Sequence, residues 1–208
     1  MANHNHNTPC ECEEHRHLQD SGRQRSFYLK WLFSILFVFV SFYILKPFLV
    51  KQLVNRGATY MSYSMYDEAI RQYKKAIFFD KENSDIHTFL AYAYRSKNDI
   101  VQAKLAYQKA IKLNPKNKLA LLDLGIMYFK EKNYKVAIEY FNSIIELGPE
   151  DQKEMTFNLI SYHRSALYML AVCHKSLNHI VEEKMTLQKL LRFYPDDQDA
   201  KKRLSELE

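Results

Sequence analysis

Glycine and proline are nearly missing from this chain, at four and five residues out of 208. Sheet folds rich in tight turns need both, so their scarcity excludes that architecture and points to long helices joined by short turns. Cysteine is scarcer still. Cys10 and Cys12 stand two apart near the N-terminus and Cys173 stands alone, which makes no disulfide framework. Cys173 lies in an apolar helical pattern and reads as a small core residue. A strong excess of one charge is also missing: 30 basic and 24 acidic residues leave a net +6. That balance suits a membrane surface or a mildly acidic partner, and lacks the clustered Lys and Arg of a nucleic-acid binder. No Gly-rich phosphate loop, nucleophile elbow or His-Glu-x-x-His is spelled out. No catalytic residue, cofactor or small-molecule substrate is therefore expected. What the chain has in quantity is aromatic side chains, 15 Tyr and 13 Phe.

Residues 1–26 are polar and offer nothing to bury, which predicts a disordered tail. The tail holds Cys10, Cys12, His15 and His17, soft and borderline metal donors whose spacing fits no structural zinc pattern. It is read as a polar tail, with weak metal binding as the alternative and no metal ligand assigned. Residues 27–50 follow as "FYLKWLFSILFVFVSFYILKPFLV", uncharged from Trp31 to Leu45. With their apolar flanks these residues reach the roughly 20 that a bilayer core requires. Tyr28, Trp31 and Tyr43 lie near the ends, where amphipathic rings prefer the interface. No small-residue cleavage site follows, so the segment is read as a retained transmembrane helix that Pro47 kinks or interrupts. Arg16, Arg23, Arg25 and Lys30 precede the uncharged run and Lys46, Lys51 and Arg56 follow it, a small bias that favours a cytoplasmic N-terminus and, in a bacterium, a periplasmic C-terminal part.

Beyond the span the chain repeats itself. "KAIKLNPKN", "SIIELGPED" and "KLLRFYPDD" share an apolar pair, a spacer, a proline and a polar pair. Pro115 and Pro149 are 34 positions apart, the period of a helix-turn-helix repeat. Aligned at that period, residues 50–83 place Gly57, Tyr60, Ala69, Tyr73 and Ala76 in register. Residues 84–117 place Ala91, Tyr94, Ala103, Tyr107 and Ala110 there, and residues 118–151 place Gly125, Tyr128, Ala137 and Phe141. These residues resemble the tetratricopeptide repeat (TPR) signature, as do the phrases "YDEAIRQYKKAI" and "YKVAIEYFNSII". A fourth, divergent unit at 164–197 carries Leu167, Leu170, Ala171, Leu187 and Pro195, with His174 where Tyr is expected and Glu183 where Ala is expected. The insertion 152–163 contains no Gly or Pro and is expected to lengthen the first helix of that unit. Residues 198–208 are expected to form a capping helix.

The resemblance implies an all-α right-handed solenoid of about four repeats. Small residues at Gly57, Ala91, Gly125 and Ala171 would let the two helices of each unit approach. In this family the first helices line a binding groove. The matching positions include Tyr92 and Arg95 in unit two, Leu119, Leu122, Ile126 and Phe129 in unit three, and Tyr168, Val172 and Lys175 in unit four. An open apolar stripe of this kind suits an apolar helix or extended peptide. The alternative is that the chain fills its own groove. The positions that clamp a chaperone's C-terminal carboxylate in some relatives are Val54, Ala58, Phe89, Leu119 and Asp123 here, which cannot do that. His174 and His179 lie five apart, on different faces of a single helix, which does not suit shared metal ligation; His174 and His163 are read as structural. The expected protein is a membrane-anchored scaffold or accessory subunit. Its expected partners are a protein segment in the groove and the bilayer at residues 27–50, with no nucleic acid. A mitochondrial-type outer-membrane import receptor and a metal-handling protein are the alternatives.

Overall fold

The structure is a computed structural model that describes residues 10–149 and 161–207, and the backbone alone for residues 10–27 and Leu29. The chain divides into two compact units, Met1–Leu49 and Val50–Glu208. All regular structure among the described residues is helical.

Helix α1 is Cys10–Ser62. It begins well inside the tail that was expected to be disordered, so residues 10–26 are helical where the polar composition predicted coil. The reason is local. Nothing from Cys10 to Ser26 is proline or β-branched, and extending a helix already nucleated by an apolar run costs little. Residues 1–9 lie outside the description, as do the side chains of Cys10, Cys12, His15 and His17. Pro47 lies within α1, so it does not end the helix. The stretch Lys30–Ser62 is long and apolar enough to cross a membrane. Its large side chains from Trp31 to Leu45 are exposed.

The second unit starts with the Val50–Ser62 part of α1 and continues through α2 (Tyr66–Phe79), α3 (Ser84–Ser96), α4 (Ile100–Leu113), α5 (Lys118–Lys130) and α6 (Tyr134–Glu146). It ends with α7 (Tyr162–Ser176), α8 (Ile180–Phe193) and α9 (Gln198–Ser205). Helices adjacent in sequence pack on one another, and α5 also touches α7, as a stacked helix-turn-helix solenoid requires.

The turn inside each unit is built the same way without a glycine. Ser64, Asn98, Lys132 and Asn178 sit in the left-handed region at φ 57°, 69°, 62° and 57°. The residue after each donates its N–H back across the turn, from Met65 to Tyr60 O, Asp99 to Tyr94 O, Asn133 to Tyr128 O and His179 to His174 O, all at 2.9 Å. This is the Schellman way of ending a helix, which satisfies carbonyls that would otherwise be orphaned. Between units the chain stops differently. Asn114 leaves its helix in an extended conformation and Tyr194 leaves at φ −131° and ψ 73°, both outside the helical region ahead of Pro115 and Pro195, as a following proline demands. Ahead of Pro149, Gly148 takes φ 78°, where a side chain would be strained.

Close approach within a unit rests on its small residue. A Cβ on Gly57 would run into the Tyr73 ring, and one on Gly125 would fall 2.7 Å from Phe141 Cε1. Ala69, Ala103 and Ala137 are wholly buried from the opposite helix. Units two and three are tied by a polar joint. The Asn117 side chain accepts from Ala120 N at 3.0 Å, capping α5, while its Nδ2 donates to Ser84 Oγ at 2.8 Å and Thr88 Oγ1 at 3.0 Å.

Residues 150–160 lie outside the description, and with them the inserted residues 152–160. Ser161 is extended and its Oγ accepts from Arg164 N at 3.1 Å, so it caps α7. The insertion therefore lengthens the first helix of unit four by Tyr162 and His163 only, because a capping serine stops the helix there.

Candidate binding face of the first helices

The face predicted to be an open apolar stripe is only partly open. Leu122 is 7% exposed and belongs to a core cluster with Ala137, Phe141 and Ile144 of its own unit and Ala166, Leu170 and Cys173 of α7. Its assignment to an accessible groove is corrected: stacking of unit four on unit three buries it. Ile126 and Phe129 are half-buried and pack against the same cluster. Phe129 also meets the Tyr134 ring at 5.4 Å between centroids. Leu119 is half-buried. Cys173 is fully buried, and burial pushes its thiol up to about 11, which makes it inert packing at neutral pH.

What the face does present is aromatic. Tyr92 is 45% exposed and Tyr168 is 44% exposed. Val172 is half-buried and Lys175 is exposed. Arg95 is committed inward. Its Nη1 donates to Asp123 Oδ1 at 3.1 Å and its guanidinium lies 4.9 Å from the Tyr92 ring centroid. Asp123 is buried and accepts on its other oxygen from Tyr107 Oη at 2.6 Å. Burial pushes the Tyr107 hydroxyl far above its ordinary range, and the Asp123 charge and hydrogen bond add to that push. Sequence reasoning used Asp123 only to reject a carboxylate clamp. The signal for more was present: Asp123 is the single charge in "LALLDLGIMYF", and an acid inside such a run needs a partner.

Unit four departs from the pattern, and the structure explains how. Glu183, where the other units have alanine, is buried and held by Arg203 of α9 through Nε at 2.6 Å and Nη2 at 3.2 Å. Arg164 forks onto Asp197 at 2.7 Å through Nε and 2.6 Å through Nη2, joining the first helix of the unit to the cap of α9. His163 is buried, with Nδ1 3.1 Å from Tyr194 Oη and its ring 4.9 Å from Phe193, as its structural reading required. His174 and His179 are a further correction. They were placed on different faces of one helix, but the turn at Asn178 intervenes and folds their rings to 6.0 Å. Burial lowers the His174 pKa, so its imidazole is neutral at pH 7. Among the described residues no group of three or more His, Cys, Asp or Glu forms a metal site.

The face therefore has aromatic contact area, an apolar floor shared with the core, and arginines already neutralised by buried acids. Residues 90–152 match one tetratricopeptide repeat family model and residues 165–197 match another. The chain is 26% identical over 179 residues to human protein O-mannosyl-transferase TMTC3, covering 73% of this chain and 20% of that protein. It is 30% identical over 117 residues to a TPR repeat-containing protein of Methanocaldococcus jannaschii, covering 52% of this chain and 20% of that one. It thus spans a fifth of the length of each of these relatives. Among solved structures, Pseudomonas aeruginosa PilF superposes with a TM-score of 0.61 at 17% identity, over 78% of this chain and 68% of that one. The first TPR domain of Spaghetti (RPAP3), solved with an HSP90 peptide, gives 0.53 at 23% identity over 62% and 94%. Identities this low speak for the fold alone, and the fold agrees with the repeat register, the small-residue contacts and both family matches. Residues 90–152 and 165–197 of this chain are thus tetratricopeptide repeats.

Proposed function

We propose that the chain is a membrane-anchored scaffold or accessory subunit that binds a protein partner on the face of its first helices. Repeats of this family are protein-interaction modules, which supports the class of function. The observation that carries the proposal is the pair Tyr92 and Tyr168, large amphipathic rings left almost half exposed on either side of unit three. Tyrosines in such positions are typical binding anchors, because they bury much area at little entropic cost. The apolar Lys30–Ser62 stretch supports the anchor, and the basic residues ahead of it support a cytoplasmic N-terminus with residues 50–208 across the membrane. The function contributes position and binding energy without chemistry of its own.

The experiment is co-purification from native membranes in mild detergent, with wild type compared against Tyr92→Ala, Tyr168→Ala and the double variant. A partner retained by wild type and lost from the double variant is the expected result. Equal retention by all four sinks the binding face. Carbonate extraction and protease protection test the anchor and its orientation. Release by carbonate ends the anchor reading, and digestion of residues 50–208 in intact cytoplasm-exposed vesicles reverses the topology.

A further inference from the structure

Unit four leaves a space that the other units fill. In units one and three the second helix sends an aromatic ring, Tyr73 or Phe141, toward the small residue of the first helix, and Tyr107 stands at the same position in unit two. Leu187 stands at that position in unit four, opposite Ala171. A cavity of about 100 Å³ lies there, among α7, α8 and α9. Ala171 and Leu187, both almost wholly buried, form its floor with Val172, and the exposed Tyr168 stands beside it. Its charged lining is balanced: Glu183 is paired with Arg203, and Lys175 and Asp199 contribute one charge of each sign.

We propose that this cavity is the anchor pocket of the binding face, and that it accepts one aliphatic side chain of leucine or isoleucine size from the partner protein. The proposal rests on the scaffold reading above and names the chemistry it would recognise. Size points to one side chain: an apolar cavity of roughly 150 Å³ holds a six-carbon ring, so about two-thirds of that suits the four carbons of leucine. Charge points to an apolar one. The arginine at the pocket is already neutralised by Glu183, and an acidic ligand would also face Asp199. Position points to the partner, because Tyr168, Val172 and Lys175 belong both to the pocket and to the face of the first helices.

The test uses full-length protein in detergent micelles, with methyl NMR of Ala171, Val172 and Leu187 during titration of N-acetyl-leucine amide. The expected result is saturable shifts confined to those methyls, with N-acetyl-alanine amide weaker by on the order of tenfold or more, since it buries three fewer carbons. Leu187→Phe restores the ring of the other units beside an alanine, as Ala91 and Tyr107 coexist in unit two. It should abolish the shifts while the protein melts no lower than wild type. Should Leu187→Phe misfold, Val172→Trp fills the cavity from another lining position and should also abolish them. Equal responses to the leucine and alanine probes, no saturation, or unchanged binding in a folded blocking variant overturns the pocket. A partner that co-purifies equally with wild type and a folded Leu187→Phe protein overturns the pocket and leaves the scaffold standing. Absence of any partner dependent on Tyr92 and Tyr168 removes the scaffold reading itself.

Discussion

The Tyr107 hydroxyl donates to Asp123 Oδ2 at 2.6 Å while Arg95 holds Oδ1 at 3.1 Å, so one buried carboxylate joins the second helix of unit two to the first helices of units two and three. Tyr107→Phe keeps the ring and removes the donor. The expected loss is about 1–3 kcal/mol, the range for a buried polar group left unsatisfied. Denaturant unfolding in mild detergent measures it. Tyr107→Phe combined with Asp123→Asn should lose less than the sum of the two single changes, because both cut the same hydrogen bond.

Alkali should weaken the solenoid through its tyrosines. Burial pushes Tyr73 up to about 12 and Tyr107 higher, against an ordinary value near 10. A native pKa raised in this way makes the unfolded chain lose its protons first. The contribution is complete below pH 10 and is lost as pH rises from there toward the native values. Tyr73→Phe with Tyr107→Phe should flatten the alkaline limb of a melting-temperature profile. Asp197 acts at the other end. Burial alone would raise its carboxyl, but the Ala200 N–H and the Arg164 guanidinium outweigh that and hold it below 3.8. Its contribution is present above that pH and is lost as pH falls through the native value, so Asp197→Asn should flatten the acid limb.

Two glycine substitutions of opposite direction should have opposite effects. Gly125→Ala places a methyl 2.7 Å from Phe141 Cε1 and forces two packed helices apart, at a cost of about 1–3 kcal/mol. Lys132→Gly removes a Cβ from a left-handed residue at φ 62° and should stabilise by about 0.5–1 kcal/mol. Paired thermal melts decide both, and a Gly125→Ala protein as stable as wild type refutes the close-approach account.

The Glu183–Arg203 pair predicts an asymmetric response. Arg203→Ala strands a buried carboxylate and should cost about 3–5 kcal/mol. Glu183→Ala restores the residue of units one to three and leaves only a half-buried arginine that can turn to water, so it should cost less. The double variant should be more stable than Arg203→Ala alone, as denaturant midpoints of the three proteins will show.

The features legible in the sequence were those that recur. Gly57, Gly125, Ala69, Ala103 and Ala137 could be placed because period and residue size agree across units. Contacts made only once carry no period. Arg95 with Asp123, Glu183 with Arg203 and Ser161 at the start of α7 each join partners whose spacing belongs to no repeat. The turns were missed for another reason. Scarce glycine was read correctly as long helices, yet the left-handed residues turned out to be Ser64, Asn98, Lys132 and Asn178, held by backbone bonds with little regard to side chain. On the proposed binding face the register picked candidate residues but could not foresee that Leu122 would be buried in a core cluster with α7. Neighbouring units compete with partners for the same apolar surface, and periodicity alone does not say which obtains it.

The left-handed turns have a mechanical consequence. They fall 34, 34 and then 46 residues apart, each closing a helical pair whose contacts are mostly local. A chain stretched between its ends would then yield in steps, one hairpin at a time. At roughly 3.3–3.6 Å per extended residue, the shorter interval gives about 115 Å of slack and the longer about 160 Å. Force spectroscopy would read the inserted segment as one oversized rip in an otherwise regular ladder.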